Sequence, residues 1–309
     1  MLPDLDELVA LRGAAHGLHL HAHRPALARL LGGHRSAQRG RGMEFEEVRL
    51  YAPGDDARTI DWRVTARRGR PHTKLFREER ERPVWLLCDL HDGLFFGSRR
   101  QLKSALLLRA AAMLAWAAAN SGDRLGAVLV DGRGTPRVYP PRARQAGVLP
   151  LLQALVEMQP RAPGETPAAG GEGVRRLDAA LLALRAVLQP GSMVLVLSDF
   201  AVLDSDAIAP VESALGGIRA HSDCRLLWLT DPLEAQGLPD GAYRVGVPGR
   251  SWWLDGARSR TPWQAAWAAR RQRLEALAQR LILPLTPLST ADAVTDSIPG
   301  LLREPAWAA

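Results

Sequence analysis

Three apolar runs, Val84 to Cys88, Met193 to Leu197 and Cys224 to Leu229, constrain the fold more than any other feature of the chain. A strand with one wet face alternates polar and apolar residues. Unbroken runs of this length instead read as strands covered on both faces. The residues between and after them fall at helical spacing. Helices are predicted from about Leu102 to Asn120, over Ala146 to Met158, along Leu177, Leu181, Leu184 and Leu188, and up to about Ile218. Trp263, Trp267, Leu274, Leu277 and Leu281 share one face of a further helix. A last strand at Leu283 to Leu288 and a last helix at Val294 to Leu302 follow. Leu125 to Val130 and Pro136 to Tyr139 read as strands joined through Asp131-Gly132, a favourable hairpin turn. The stretch from Pro160 to Gly173 reads as a loop. Strands alternating with helices imply a doubly wound, mainly parallel α/β sheet of Rossmann-type topology over residues 84–309.

Residues 1–83 form a different kind of segment. A short helix is expected from Pro3, with Leu5, Leu8 and Val9 on one face and Gly13 as its stop. Strands are expected at Glu44 to Leu50 and Thr73 to Arg80, around a Pro53-Gly54 turn. His16, His19, His21 and His23 alternate, but they lack carboxylate partners and read as surface or loop histidines.

Composition narrows the function classes. The chain has 309 residues, 47% of them hydrophobic and 24% charged, which is ordinary for a soluble globular protein. A net charge of +7 and a pI near 10.3 raise the question of nucleic acid. Acids interleave the arginines between Arg58 and Arg82 (Asp61, Glu78, Glu79, Glu81), so no phosphate-binding stripe forms and nucleic-acid binding is not expected. The N-terminus, MLPDLDEL, lacks the basic start of a signal peptide. The longest apolar run, Ala105 to Ala119, is broken by Arg109 and is shorter than the ~20 residues that span a bilayer. Cys88 and Cys224 read as buried free thiols of a reducing compartment. The expectation is a cytoplasmic protein without a membrane span.

Candidate chemistry concentrates in two places. Asp89 and Asp199 stand at the ends of two apolar strands, and ligands of open α/β sheets sit outside the carboxyl ends of the strands. Two carboxylates on one rim could seat a hard divalent cation, or each could cap the helix that follows. The second place is the segment containing Arg49, Tyr51, Asp55, Asp56, Arg58, Asp61, Trp62 and Arg67. Asp55, Asp56 and Asp61 could form a metal or acid–base cluster. Charge balance favours the other reading, in which they pair with Arg49, Arg58, Arg63 or Arg67 to hold a compact turn, with Trp62 and Tyr51 packing on the main domain. Gly97 to Ser104 comes close to a phosphate-binding Walker loop, but Leu102 stands where the second glycine is required. ATP binding is therefore not expected, and Lys103 reads as a solvent-facing helix residue. Trp252, Trp253 and Trp307 are candidate partner anchors; core packing is the default for Trp252 and Trp253, and a disordered tail for Trp307.

The segment from Gly40 to Gly97, EFxxxRxYxPGDDxRxIDWxxxARxGxPxxKxFxEE followed by an apolar strand ending in Asp, resembles the domain of unknown function 58 family. Ser198-Asp199-Phe200 extends the resemblance beyond residue 200. It implies a von Willebrand factor type A-like fold and a partnership with a MoxR-type AAA+ ATPase. Such domains hold Mg²⁺ through Asp-x-Ser-x-Ser, a distal Thr and a distal Asp. Here the first motif is Asp89-Leu90-His91-Asp92-Gly93, both serines are absent, and GEGVRRLDAAL offers no threonine. The resemblance thus implies a degenerate rim of Asp89, His91, Asp92 and Asp199 with no metal and no cofactor. A sharper alternative has His91, Asp89 and Asp199 bind a transition metal.

No nucleophile elbow, HExxH, CxxC or GxGxxG is present. The expected function is a non-enzymatic adaptor or assembly factor that works with the ATPase to mature or remodel a client protein complex. The competing classes are a metal-dependent hydrolase built on Asp55, Asp56 and Asp61, and a nucleic-acid binder.

Overall fold

Leu31–Glu81 forms one unit, and Met1–Leu30 joins Arg82–Ala309 in the other. The computed structural model describes residues 2–20, 43–52, 57–78, 83–161, 170–204, 208–247 and 250–303. The first helix, α1 (Leu5–Ala14), starts where the Asp4 carboxylate accepts a hydrogen bond from the Glu7 amide at 2.8 Å. It does not stop at Gly13; the chain leaves at Gly17, whose φ of 76° suits glycine. Leu8 is fully buried, a gain of about 1.5–3 kcal/mol for a leucine.

In the smaller unit, β1 (Met43–Leu50) pairs antiparallel with β2 (His72–Glu78), with a bulge between Phe45 and Glu47. Between them α2 (Trp62–Arg68) is capped by Asp61 and closed by Gly69 at φ 68°. The expected strand pair is present. Pro53, Gly54, Asp55 and Asp56 lie outside the described residues.

In the larger unit, β3 (Pro83–Leu90), β4 (Arg124–Asp131), β5 (Arg137–Ala143), β6 (Met193–Ser198), β7 (Asp223–Thr230) and β10 (Leu285–Ser289) make a six-stranded sheet ordered β10-β7-β6-β3-β4-β5. Every neighbouring pair is parallel except β4 and β5, which form the expected hairpin. The three apolar runs occupy adjacent central strands. Their side chains alternate between two cores. Leu86 and Leu195 face α3 (Lys103–Asn120) and α4 (Gln145–Met158). Leu87 and Val196 face α5 (Gly170–Val187), α6 (Ala209–His221) and α8 (Gly256–Leu281). Residue α5 begins with, Gly170, lies inside the stretch expected to be loop.

Helix α3 is buried on nearly every side because α1 covers its outer face. Trp116 Nε1 donates to the Leu8 carbonyl at 3.1 Å, Asn120 Nδ2 to the Ala15 carbonyl at 2.7 Å, and Arg109 pairs with Glu7. That roof accounts for its uniformly apolar sequence, and no helix of the described residues is long and apolar enough to cross a membrane. A short α7 (Pro232–Gln236) follows β7, and α9 (Val294–Arg303) follows β10. A ribbon of β8 (Ala242–Val247) and β9 (Arg250–Asp255) was not foreseen from the sequence. Its Trp252 and Trp253 are exposed rather than packed in a core. Trp307 lies outside the described residues.

Candidate functional site

Strand order reverses direction at β3: β4 follows on one side, while β6 and β7 lie on the other. The crevice at such a switch point is where open α/β sheets place ligands. Asp89 and the Ser198-Asp199 pair stand at the carboxyl ends of β3 and β6, which are paired through Cys88 and Leu197. Asp89 and Asp199 lie at the carboxyl ends of these two paired strands. Both are buried, at 2% and 4% exposure.

Their partners come from opposite layers of the sheet. Arg176, on α5, donates from Nε to Asp89 Oδ1 at 2.8 Å. Ser198 Oγ donates to Asp89 Oδ2 at 2.8 Å and accepts from the Phe200 amide at 3.0 Å. Lys103, at the start of α3, places Nζ 3.0 Å from Asp199 Oδ2 and 2.8 Å from Glu234 Oε1. His91 Nε2 lies 3.1 Å from Asp199 Oδ1, and its Nδ1 accepts from the Gly93 amide at 3.2 Å. Lys103 is thus 2% exposed and doubly paired, which corrects its reading as a solvent-facing residue.

The sequence carried a signal for this. Helix α3 is apolar all round, so a lysine in its first turn has no wet face to occupy and must find acids. Arg176 lies in GEGVRRLDAAL, the stretch that lacks a threonine.

Electrostatics follow the geometry. Burial works to raise the Asp199 pKa, but Lys103 and His91 overcome it and hold the carboxyl well below its ordinary value. Burial works to lower the Lys103 pKa, and Asp199 and Glu234 overcome it, so the ammonium is held charged. His91 is likewise raised: burial opposes the charge, and Asp199 and Asp89 prevail. A charged His91 must give up the Gly93 contact, since Nδ1 would then carry a proton. Burial pushes the Cys88 thiol up and makes it a poor nucleophile.

The network continues along the carboxyl edge. Asp231, at the end of β7, accepts from the Ser98 amide at 2.7 Å, from the Ser98 hydroxyl, from the Leu233 amide at 2.8 Å and from Thr290 Oγ1. Glu234 Oε2 accepts in turn from the Asp231 amide at 2.9 Å, completing a capping box on α7. Phe200 sits at φ 51°, a strained backbone for a phenylalanine, and is buried. Asp92, also expected on the rim, opens a single helical turn and is exposed.

The residues do not fit a Mg²⁺ ion of the kind that von Willebrand factor A-like domains hold. All four oxygens of Asp89 and Asp199 already accept hydrogen bonds, the nearest hydroxyl is used twice, and two fixed cations would repel an ion. The transition-metal alternative meets the same obstacle, because both nitrogens of His91 are engaged. Among the described residues no group of three or more His, Cys, Asp or Glu is arranged to hold a metal.

The second candidate place is built differently. Asp61 accepts from the Arg63 and Val64 amides at 3.0 and 3.1 Å, so its carboxylate caps α2. Arg49 Nη1 donates to the Leu50 carbonyl at 3.0 Å, and the Tyr51 amide to the Pro71 carbonyl at 2.9 Å. Arg58 and Arg67 are exposed. Trp62 is 69% exposed.

Comparison with known proteins bears on identity. The uncharacterized proteins Rv1480 of Mycobacterium tuberculosis and Mb1516 of Mycobacterium bovis are each 34% identical over 214 residues, 68% of this chain. The match spans 62% of the length of each. Among solved structures, the conserved hypothetical protein BatB from Bacteroides thetaiotaomicron gives a TM-score of 0.42 at 10% identity, covering 71% of this chain and 96% of that one. The PilB minor pilin from Streptococcus sanguinis gives 0.39 at 7%, covering 76% and 64%. Scores this low carry no argument about the fold or the function. Residues 47–273 match the family model described as protein of unknown function DUF58, and the chain belongs to that family.

Proposed function

We propose that the protein is a non-enzymatic adaptor that docks partners on the carboxyl edge of its sheet, working with a MoxR-type AAA+ ATPase on a client protein complex. The fold is read in the same proposal as von Willebrand factor A-like. A central first strand ending in Asp89 and a switch point at its tip support that reading. One observation carries the functional argument: each carboxylate of the crevice is neutralised by a side chain of the chain itself. Fully paired groups of this kind rigidify a surface. Lys103 and Asp199 are poor general acids or bases, because their pKa values are driven away from neutrality. A rigid, self-neutralised edge suits docking.

The test is capture of the purified ATPase by the full chain, in Mg²⁺ and in EDTA. Capture under both conditions is expected. Loss in EDTA would overturn the metal-independent rim, and absence of capture in either would overturn the adaptor.

A further inference from the structure

We propose that the β8–β9 ribbon docks on an anionic lipid surface, with Trp252 and Trp253 seated in the headgroup layer and the arginines beside them facing lipid phosphates. The proposal goes beyond the adaptor reading above and does not depend on it. The two tryptophans are adjacent in sequence, so their rings leave opposite faces of the ribbon. Trp253 stands across from Arg244, and Trp252 across from Val245. Both rings are nevertheless exposed, at 71% and 50%, and no described residue of the ribbon enters either core. One flat partner covers one face of a ribbon, whereas the interfacial layer of a bilayer surrounds an inserted one. Indoles suit that layer, because the ring body is apolar and its N–H stays wet.

Charge selects the kind of surface. Residues 242–280 hold eight arginines against two acids, Asp255 and Glu275, so +6 of the chain's +7 falls in this stretch. Several of these arginines are used within the fold: Arg260 pairs with Asp240, Arg271 with Glu275 and Arg280 with Glu212. Arg244 and Arg258 are exposed, Arg258 at 91% with only a 3.9 Å contact to Asp255. They flank the tryptophans, one across the ribbon and one in the first turn of α8. Basic charge beside exposed indoles favours an anionic bilayer over a neutral one. Single-stranded nucleic acid also binds indoles, but it stacks its successive bases on a shared platform, which rings on opposite faces do not provide.

The probe is flotation of the full chain with vesicles of phosphatidylcholine, alone or with about 30% phosphatidylglycerol, at about 0.1 M salt. Binding to the anionic vesicles is expected, far above that to neutral ones, and it should weaken as salt rises. Arg244→Gln and Arg258→Gln should each weaken it about fivefold, and the Trp252→Ala, Trp253→Ala double variant about tenfold or more. Lipid brominated high on its acyl chains should quench the wild-type fluorescence, and the double tryptophan variant should lose that quenching. All four positions are exposed, so every variant should melt with the wild type. Absence of flotation, or equal flotation with neutral vesicles, would overturn the anionic surface as the partner. Undiminished binding by the tryptophan variant would overturn the ribbon as the contact, and flotation without quenching would overturn insertion of the rings. A melting temperature well below wild type in the tryptophan variant would show that the rings pack within the fold, which also overturns the proposal. Tryptophan-dependent retention of a single-stranded oligonucleotide, without vesicle binding, would assign the ribbon to nucleic acid instead.

Discussion

Replacing Lys103 by methionine tests how much the crevice depends on its buried charge. Methionine retains the apolar stem and its flexibility. What disappears is the ammonium held 3.0 Å from Asp199 and 2.8 Å from Glu234. Removing one partner of a buried pair costs about 3–5 kcal/mol, because the other charge is left in a medium that solvates it poorly. An exposed pair would cost about 0.2–1 kcal/mol. At about 2–4 °C per kcal/mol for a domain of this size, the melting temperature should fall by about 6–20 °C. Adding Asp199→Asn removes the stranded charge, so the double variant should recover about 0.5–3 kcal/mol relative to the sum of the singles. Urea unfolding at neutral pH measures each value. A loss below about 1 kcal/mol, or strict additivity of the pair, would refute the reasoning.

The pH dependence follows from the directions of the shifts. Asp199 is lowered from 3.8, so its contribution is present above that value and is lost as pH falls through the lower folded pKa. Lys103 is raised from 10.5, so its contribution is full below that value and is lost as pH rises through the folded pKa. His91, raised from 6.5, adds a part that is full below 6.5 and lost above its own folded pKa. In wild type the network should therefore contribute most between about pH 4 and 6.5.

Three further perturbations separate the remaining roles. Asp61→Ala should cost about 1 kcal/mol and Asp61→Asn almost nothing, because asparagine caps a helix as well as aspartate; equal losses in chemical denaturation would point to a role for the charge itself. Gly93→Ala would place a Cβ 2.8 Å from the His91 ring, turning it off Asp199. The His91 pKa should fall in an NMR titration, and an unchanged value would show that the ring had not moved. Leu8→Ala should cost about 2–5 kcal/mol in urea unfolding, and a neutral result would mean that α1 does not complete the core.

The central sheet was legible because its strands are unbroken apolar runs, a pattern that only two-sided burial explains. The long helices were legible from leucine spacing. Other features depended on context that no local pattern carries. Helix α1 belongs with the larger unit because Leu8 completes a core assembled from residues about a hundred positions away. The β8–β9 ribbon was missed because tryptophans argue for burial, whereas Trp253 is 71% exposed. At the site, Asp89 and Asp199 were readable as strand-end acids. Their cations were not, since Arg176 follows Asp89 by 87 positions and Lys103 precedes Asp199 by 96. Asp61 looked like one member of an acidic triad and is a helix cap, a role that depends on where α2 starts.

The two cations of the crevice arrive from helices on opposite sides of the sheet, Lys103 with the layer packed on Leu86 and Arg176 with the layer packed on Leu87. Lys103 and Arg176 reach their acids only when both helical layers are packed on the sheet, so these two pairs are expected to form late in folding. Substitutions there should quicken unfolding far more than they slow folding.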